Sequence, residues 1–393
     1  MDFTFTEEQQ LFRNSTRRFL DEQYAFEKRA GILEQPHGYQ ESHWQNFAEL
    51  GWLAMPFAEQ YDGLGGSPIE TMILMEEMGR SLLTSPYLAT VVLGGEIVAA
   101  AGSEEQKSAL LPQVGAGELK LALAFAEQGG GYDLTQIRLR ATKNETGYLL
   151  EGSKTTVFHA GVADKIIVAA RNAGRAGERE GVSLFLLDPD AAGLQARSYR
   201  TQDGGSASDL EFKAVQVPEE ALLGQEGQGF VPLQWVIAKA AVALCAEAVG
   251  TMWAISEQSG DFLRTREQFG QKLGSFQALQ HRLVDVYMKC QLSQSLVYDA
   301  VCGLDQEADQ QGGKPFGPEL MRKICAAKYQ VGLDARSVGQ EGIQFHGAMG
   351  MMTELPIGHY YKRITAINST FGDPRFHLRR YRELMRQDQD KAA

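Results

Sequence analysis

Cysteine is scarce in this chain: four in 393 residues, at positions 245, 290, 302 and 325. None forms a CxxC pair and no spacing fits a zinc site. The pattern reads as buried free thiols in a reducing compartment, not as a disulfide or metal framework. Basic residues are outnumbered too, 38 Lys and Arg against 50 Asp and Glu, for a net charge of −12. That balance argues against nucleic acid as a partner, although an anionic ligand needs only a few local cations or helix ends. The first residues lack an apolar h-region and an Arg-rich segment, and no stretch reads as a membrane span. The expectation is a cytoplasmic protein. Hydrophobic residues make up 44% and charged residues 22%, an ordinary globular balance, and the length suits two or three domains.

What is present falls into three blocks. Near the start, Thr6 precedes Glu7 and Glu8, and Leu11, Phe12, Phe19 and Leu20 follow as an apolar stripe. That is an N-cap, an acidic first turn and the buried face of a helix. Residues 42–53 and 69–83 repeat the pattern, and Ser103 caps a further helix. The period then changes. Ile137, Leu139 and Ala141 alternate with charges, KNETG turns the chain, and Tyr148 and Leu150 resume the alternation, which predicts a hairpin. KIIVAA at 165–170 and VSLFLL at 182–187 read as buried strands. Long apolar-periodic stretches return at 231–266, 275–304, 318–346 and 360–386, a pattern expected of an antiparallel bundle. The predicted organisation is an N-terminal helical domain at 1–120, a middle β-barrel or sandwich at 121–226, and a C-terminal four-helix bundle at 227–393.

Several segments carry residue types suited to a ligand. AFAEQGGGYD at 124–133 has a glycine run that lets backbone N–H groups approach a phosphate or a planar ring; an ordinary loop is its plainer reading. In REQFGQKLGSFQ at 266–277, Arg266 offers a fork of donors suited to a pyrophosphate, and Phe269 a flat face for an adenine. Glu247 is the one acid in the apolar run AKAAVALCAEAVG. It suits a general base whose affinity for protons is raised by burial, or else a structural partner of Lys239, Arg282 or a backbone group.

Together with GSKTTVFHAGVAD at 152–164, QFHGAMGMMTELP at 344–356, TFGD at 370–373 and ELGWLAMPFAEQYDGLGG at 49–66, these segments resemble the acyl-CoA dehydrogenase family over nearly the whole chain. The resemblance implies FAD as cofactor and α,β-dehydrogenation of an acyl-CoA thioester to the 2,3-enoyl-CoA, with electrons passed to an electron-transfer flavoprotein. It implies that Ala126 and Phe158 lie at the flavin and that Glu127 and Tyr132 meet the substrate. Arg266, Phe269, Gln277, Gln344 and Gly347 would hold the dinucleotide, in part across a subunit interface. Asp373 would hydrogen-bond the cofactor or cap a turn.

The resemblance has one large departure. Much of the family has Tyr-Glu-Gly-Thr where this chain has TFGD, and that Glu is the catalytic base; here Phe371 fills the slot. Its backbone N–H can still hold a thioester oxygen, but its side chain cannot take a proton. An alternative slot for the base, on the first long C-terminal helix, falls on Ala240. Glu247 lies seven residues on, about two turns along the same helix face, and is the candidate base. TFGD, Tyr132 and the CAEAVG segment look like one branch of the family, which includes the small subunit of pimeloyl-CoA dehydrogenases and one chain of paired steroid side-chain dehydrogenases. That likeness implies either a homo-oligomer or a heterotetramer with a second dehydrogenase chain. It also opens a second function, a half-site or non-catalytic partner subunit. A third, an oxidase or flavin monooxygenase on the same fold, would release peroxide.

Overall fold

The computed structural model describes residues 4–307 and 315–392, with side chains as far as 387. Six α-helices open the chain: α1 (Glu7–Gln23), α2 (Phe26–Glu34), α3 (Glu41–Glu49), α4 (Pro68–Arg80), α5 (Glu96–Ala101) and α6 (Glu104–Gly115). Three start on capping boxes, Thr6 with Gln9, Ser67 with Glu70 and Ser103 with Gln106, each pair satisfying orphan N–H groups of the first turn. A π-helical turn, Leu88–Gly95, leads into α5.

The middle of the chain forms β1 (Leu121–Ala124), β2 (Arg140–Asn144), β3 (Gly147–Phe158), β4 (Lys165–Arg171), β5 (Val182–Leu187), β6 (Leu194–Arg200), β7 (Ser206–Val217) and β8 (Leu222–Leu223). They make one mixed sheet in the order β6-β7-β3-β2-β4-β5-β8, with β1 parallel to β4. The β2–β3 hairpin turns where KNETG predicts it, with Asn144 opposite Gly147. Its first strand begins later than the alternation implies. The N–H groups of Arg138 and Leu139 go to the Glu127 carboxylate, not to a neighbouring strand.

The pairing of β3 with β7 slips between Lys154 and Val157. At this bulge Thr156 adopts a left-handed backbone, φ 55°, which kinks the strand and re-aims its side chains. Tyr148, Leu150, Phe185, Leu210 and Phe212 form a separate core on this sheet.

The chain ends in α7 (Phe230–Thr265), the short hairpin β9 (Glu267–Gln268) and β10 (Gln271–Lys272), then α8 (Gln277–Gln306), α9 (Pro318–His346), α10 (Pro356–Ser369) and α11 (Pro374–Ala392). The fourth predicted helix is therefore two. TFGD breaks it, because Phe371 and Gly372 both take positive φ and Pro374 has no N–H to continue a helix. By length and hydropathy α7 could cross a membrane, but 94% of that window is buried within the protein, as the central helix of a bundle should be. It crosses α4 with backbones almost touching. A Cβ at Gly79 would fall 2.0 Å from the Glu247 carbonyl oxygen, and one at Gly250 would fall 1.8 Å from that of Glu76, so only glycine fits either place.

Candidate active-site cleft

A cleft of about 540 Å³ opens between the middle sheet and the C-terminal helices. The loop after β1 supplies one wall from Phe125 to Leu134, and the β3 bulge supplies Thr155, Thr156 and Phe158. Ile237, Ala238 and Ala241 of α7 and the turn at Thr370 and Phe371 close the other side. Three aromatic rings converge there, with the Phe371 centroid 6.3 Å from both Phe125 and Phe158. Small residues on α7 and flat rings opposite leave a slot suited to a planar heterocycle.

His377, on the cleft wall, and Lys328, behind it, hold Phe371 in place. The Nε2–H of His377 donates to the Phe371 carbonyl at 3.0 Å, which leaves its buried Nδ1 unprotonated and without a partner. Burial, helped by nearby Lys328, pushes the His377 pKa down to about 3, so the ring is neutral. Lys328 is itself buried and donates to the carbonyl of Ile367 at 2.7 Å, at the end of α10. The φ of Phe371 is 56°, an uncommon conformation for a bulky residue. No protein acceptor meets its backbone N–H among the described residues. The sequence reading missed Lys328 and His377; a single Lys inside the apolar run ICAAKYQVG was the available signal.

Of the expected cleft residues, Ala126, Glu127, Tyr132, Phe158 and Phe371 do meet at the cleft. The Glu127 carboxylate, however, is fully engaged. One oxygen takes Lys154 Nζ at 2.7 Å and the Leu139 N–H at 3.0 Å, and the other takes the Arg138 N–H at 2.8 Å. Burial draws the Lys154 pKa down to about 8 against the pull of that carboxylate. The Glu127 side chain therefore secures the loop and is not available to contact a substrate. Tyr132 packs on Phe376 of α11, centroids 5.5 Å apart. Asp373 caps α11, its Oδ1 accepting from Phe376 N at 2.7 Å. The other acid on the cleft wall, Asp133, is bonded to Thr135 and Gln136. Among the described residues, no uncommitted carboxylate lines the cleft.

Glu247 does not supply one. It is buried against Arg363 of α10, whose Nε and Nη2 bond both its oxygens at 2.5 and 2.7 Å. The partner is thus neither Lys239 nor Arg282, which bind Glu96 and Glu341. In this geometry Glu247 is one half of a buried ion pair, which corrects the expectation of a free base on that helix face.

Arg266, Phe269, Gln277, Gln344 and Gly347 lie elsewhere. Arg266 follows α7, and at 1.5 Å per residue it stands roughly 38 Å along the helix axis from Ala241. Phe269 is 87% exposed, and Gln344 and Gly347 are exposed at the end of α9. One chain cannot bring both groups to one small ligand.

Models of the N-terminal, middle and C-terminal domains of acyl-CoA dehydrogenase match residues 6–118, 122–215 and 227–380 in that order. This chain belongs to the acyl-CoA dehydrogenase family. It is 28% identical over 360 residues to the probable acyl-CoA dehydrogenase YngJ of Bacillus subtilis, covering 90% of this chain and 91% of that one. The structure of butyryl-CoA dehydrogenase from Megasphaera elsdenii superposes with a TM-score of 0.86 at 26% identity, covering 98% and 100% of the two chains. The ChsE4–ChsE5 complex from Mycobacterium tuberculosis shares the fold, with a TM-score of 0.86 at 23% identity over 98% and 99%. The family comprises flavin-dependent oxidoreductases, and the cleft of this member lies where its middle and C-terminal segments meet.

Proposed function

We propose that this chain binds FAD and an acyl-CoA thioester in the cleft and takes part in oxidising the thioester to its 2,3-enoyl form, with an electron-transfer flavoprotein as the acceptor. The observation that carries this reading is the free N–H of Phe371 at the rim of a slot walled by Phe125, Phe158 and small α7 residues. Ala126, Thr155, Thr156 and Phe158 would flank the flavin ring, and Arg266, Phe269, Gln277, Gln344 and Gly347 of a second subunit would hold its dinucleotide end. When bound, FAD supplies the hydride acceptor for the β-carbon. The protein holds the thioester oxygen on the Phe371 N–H, where hydrogen bonding favours the enolate-like charge that forms as the α-proton leaves. The aromatic walls exclude water from that carbon.

Among the described residues no carboxylate on the cleft wall is free to take the α-proton, which favours a second reading. In it the chain is the half of a heteromeric dehydrogenase that completes a site on another chain, as the likeness to the paired branch implies. Visible spectroscopy separates the two. A yellow protein bleached anaerobically by a set of acyl-CoA thioesters supports the dehydrogenase. A yellow protein that bleaches only with a second dehydrogenase chain present supports the half-site. A protein that takes up no FAD, alone or paired, overturns both.

A further inference from the structure

Behind the cleft lies a second, smaller cavity of about 90 Å³, and the two share Phe158, Thr201, Ala366 and Thr370 as a common wall. Its lining is mixed, with Leu82, Leu83, Leu88 and Leu244 beside a set of polar groups. Arg29, Thr84, His159, Asp203, Ser206 and Arg363 all face it. Most of these groups are spent on one another. Arg363 is taken by Glu247 and Asp203. Arg29 bonds the carbonyls of Leu82 and Asp203 and the ring of His359. The second oxygen of Asp203 accepts from Thr201. Both carboxylates meet Arg363 while Arg29 bonds only neutral acceptors, and the four charges sum to zero.

His159 is the exception. It is only 8% exposed, and its Nδ1 has no partner. Its backbone N–H is tied to the Ser206 carbonyl at 2.9 Å and its φ is 52°, while the ring meets Tyr39 edge-on. Burial, reinforced by Arg363, pushes its pKa down to about 4, so at neutral pH the imidazole offers one donor and one acceptor and carries no charge.

We propose that this chamber receives the far end of the acyl group, that it selects an uncharged hydrogen-bonding terminus such as a hydroxyl or keto oxygen, and that His159 is the residue that reads it. The proposal rests on the acyl-CoA reading above. A methyl terminus would seal the imidazole away with a polar atom unpaired, which buried sites disfavour strongly. A carboxylate would add a third negative charge where both cations are already committed. The small volume limits the chamber to the last few atoms of a chain.

Titration calorimetry tests this on the purified protein with excess FAD, without oxygen. The ligands are free CoA and straight-chain acyl-CoA thioesters of increasing length, each paired with thioesters whose terminal methyl is replaced by hydroxyl or carboxylate. At the length that reaches the chamber, the hydroxyl member should bind about tenfold tighter or more. His159→Phe should abolish that preference, and His159→Gln should restore part of it. Equal affinities for hydroxyl and methyl members at every length would overturn the proposal, with the chamber left to water, while the acyl-CoA reading stands. Tightest binding of the carboxylate member would overturn the charge argument and the proposal with it. Thioesters that bind no better than free CoA would overturn both. The unmutated series decides the matter even if His159→Phe fails to fold.

Discussion

Arg363 of α10 grips Glu247 of α7 with two parallel bonds, and its third nitrogen reaches Asp203 at 2.6 Å. One guanidinium thus ties the central helix, the last helices and the middle domain together directly behind the cleft. Burial alone would lower the Arg363 pKa, but the Glu247 and Asp203 carboxylates hold it above its usual value. Removing one partner of such a pair leaves the other buried and uncompensated, which costs on the order of 3 kcal/mol. Glu247→Gln should therefore lower the thermal unfolding midpoint clearly, while FAD retained per folded chain and turnover per flavin change by no more than a few-fold. Lost turnover with unchanged stability would restore Glu247 as a base.

Phe371→Glu places a carboxylate at the rim of the cleft, beside the N–H proposed to hold the thioester oxygen. A positioned base is worth roughly 10²–10⁴-fold in proton transfer. The variant should raise the rate at which an acyl-CoA exchanges its α-hydrogen with D₂O, followed by proton NMR, by at least the lower end of that range. The ring contacts with Phe125 and Phe158 are lost, at about 1 kcal/mol each, so unfolding must be measured alongside. No gain in exchange from a folded, flavin-loaded variant would show that the thioester does not sit at residue 371.

Much of this was legible in the sequence, and the reason differs by element. Caps such as Thr6 and Ser103 are local chemistry, readable over four residues. The long helices follow from the period of their apolar residues, and α9 runs from Pro318 to His346 as that period predicts. The break between α10 and α11 was not seen, because the apolar period runs on through TFGD and only backbone φ shows the turn. The partners of Glu127 and Glu247 were also hidden. Lys154 and Arg363 lie 27 and 116 residues away, and only the fold brings them together. Nothing in GSKTTVFHAG shows that the end of β3 buries His159.

Two buried neutral histidines predict how stability responds to acid. Burial holds His159 near pKa 4 and His377 near 3, whereas both should titrate near 6.5 once unfolded. Between pH 6.5 and those values the unfolded chain binds protons that the folded chain refuses, so stability must fall as pH falls. Arg363 and His37 beside His159, and Lys328 and Arg380 beside His377, act in the same direction as burial, against a lesser opposing pull from Asp203 and Asp373. Denaturant midpoints should decline from pH 6.5 toward pH 4, and His159→Gln and His377→Gln should each flatten that slope. A slope unchanged by both substitutions would show that the carboxylates dominate acid unfolding.

Arg266 and Phe269 give the sharpest test of assembly. Both are exposed, and Phe269 also takes a left-handed backbone, φ 54°, a conformation bulky side chains rarely adopt without a reason. Exposed substitutions of this kind usually change stability by less than about 0.5 kcal/mol, so Arg266→Ala and Phe269→Ala should unfold like the parent chain. If these residues hold a neighbouring subunit's cofactor, the same variants should lose FAD by about tenfold or more in equilibrium dialysis. Ala126→Trp should lose it too, by filling the cleft instead. Mixing Arg266→Ala with Ala126→Trp and letting the subunits exchange should then restore FAD to a fraction of sites, each built from the intact cleft of one chain and the intact hairpin of the other. No recovery on mixing, with exchange shown by a mass tag, would mean that cleft and hairpin do not serve one cofactor.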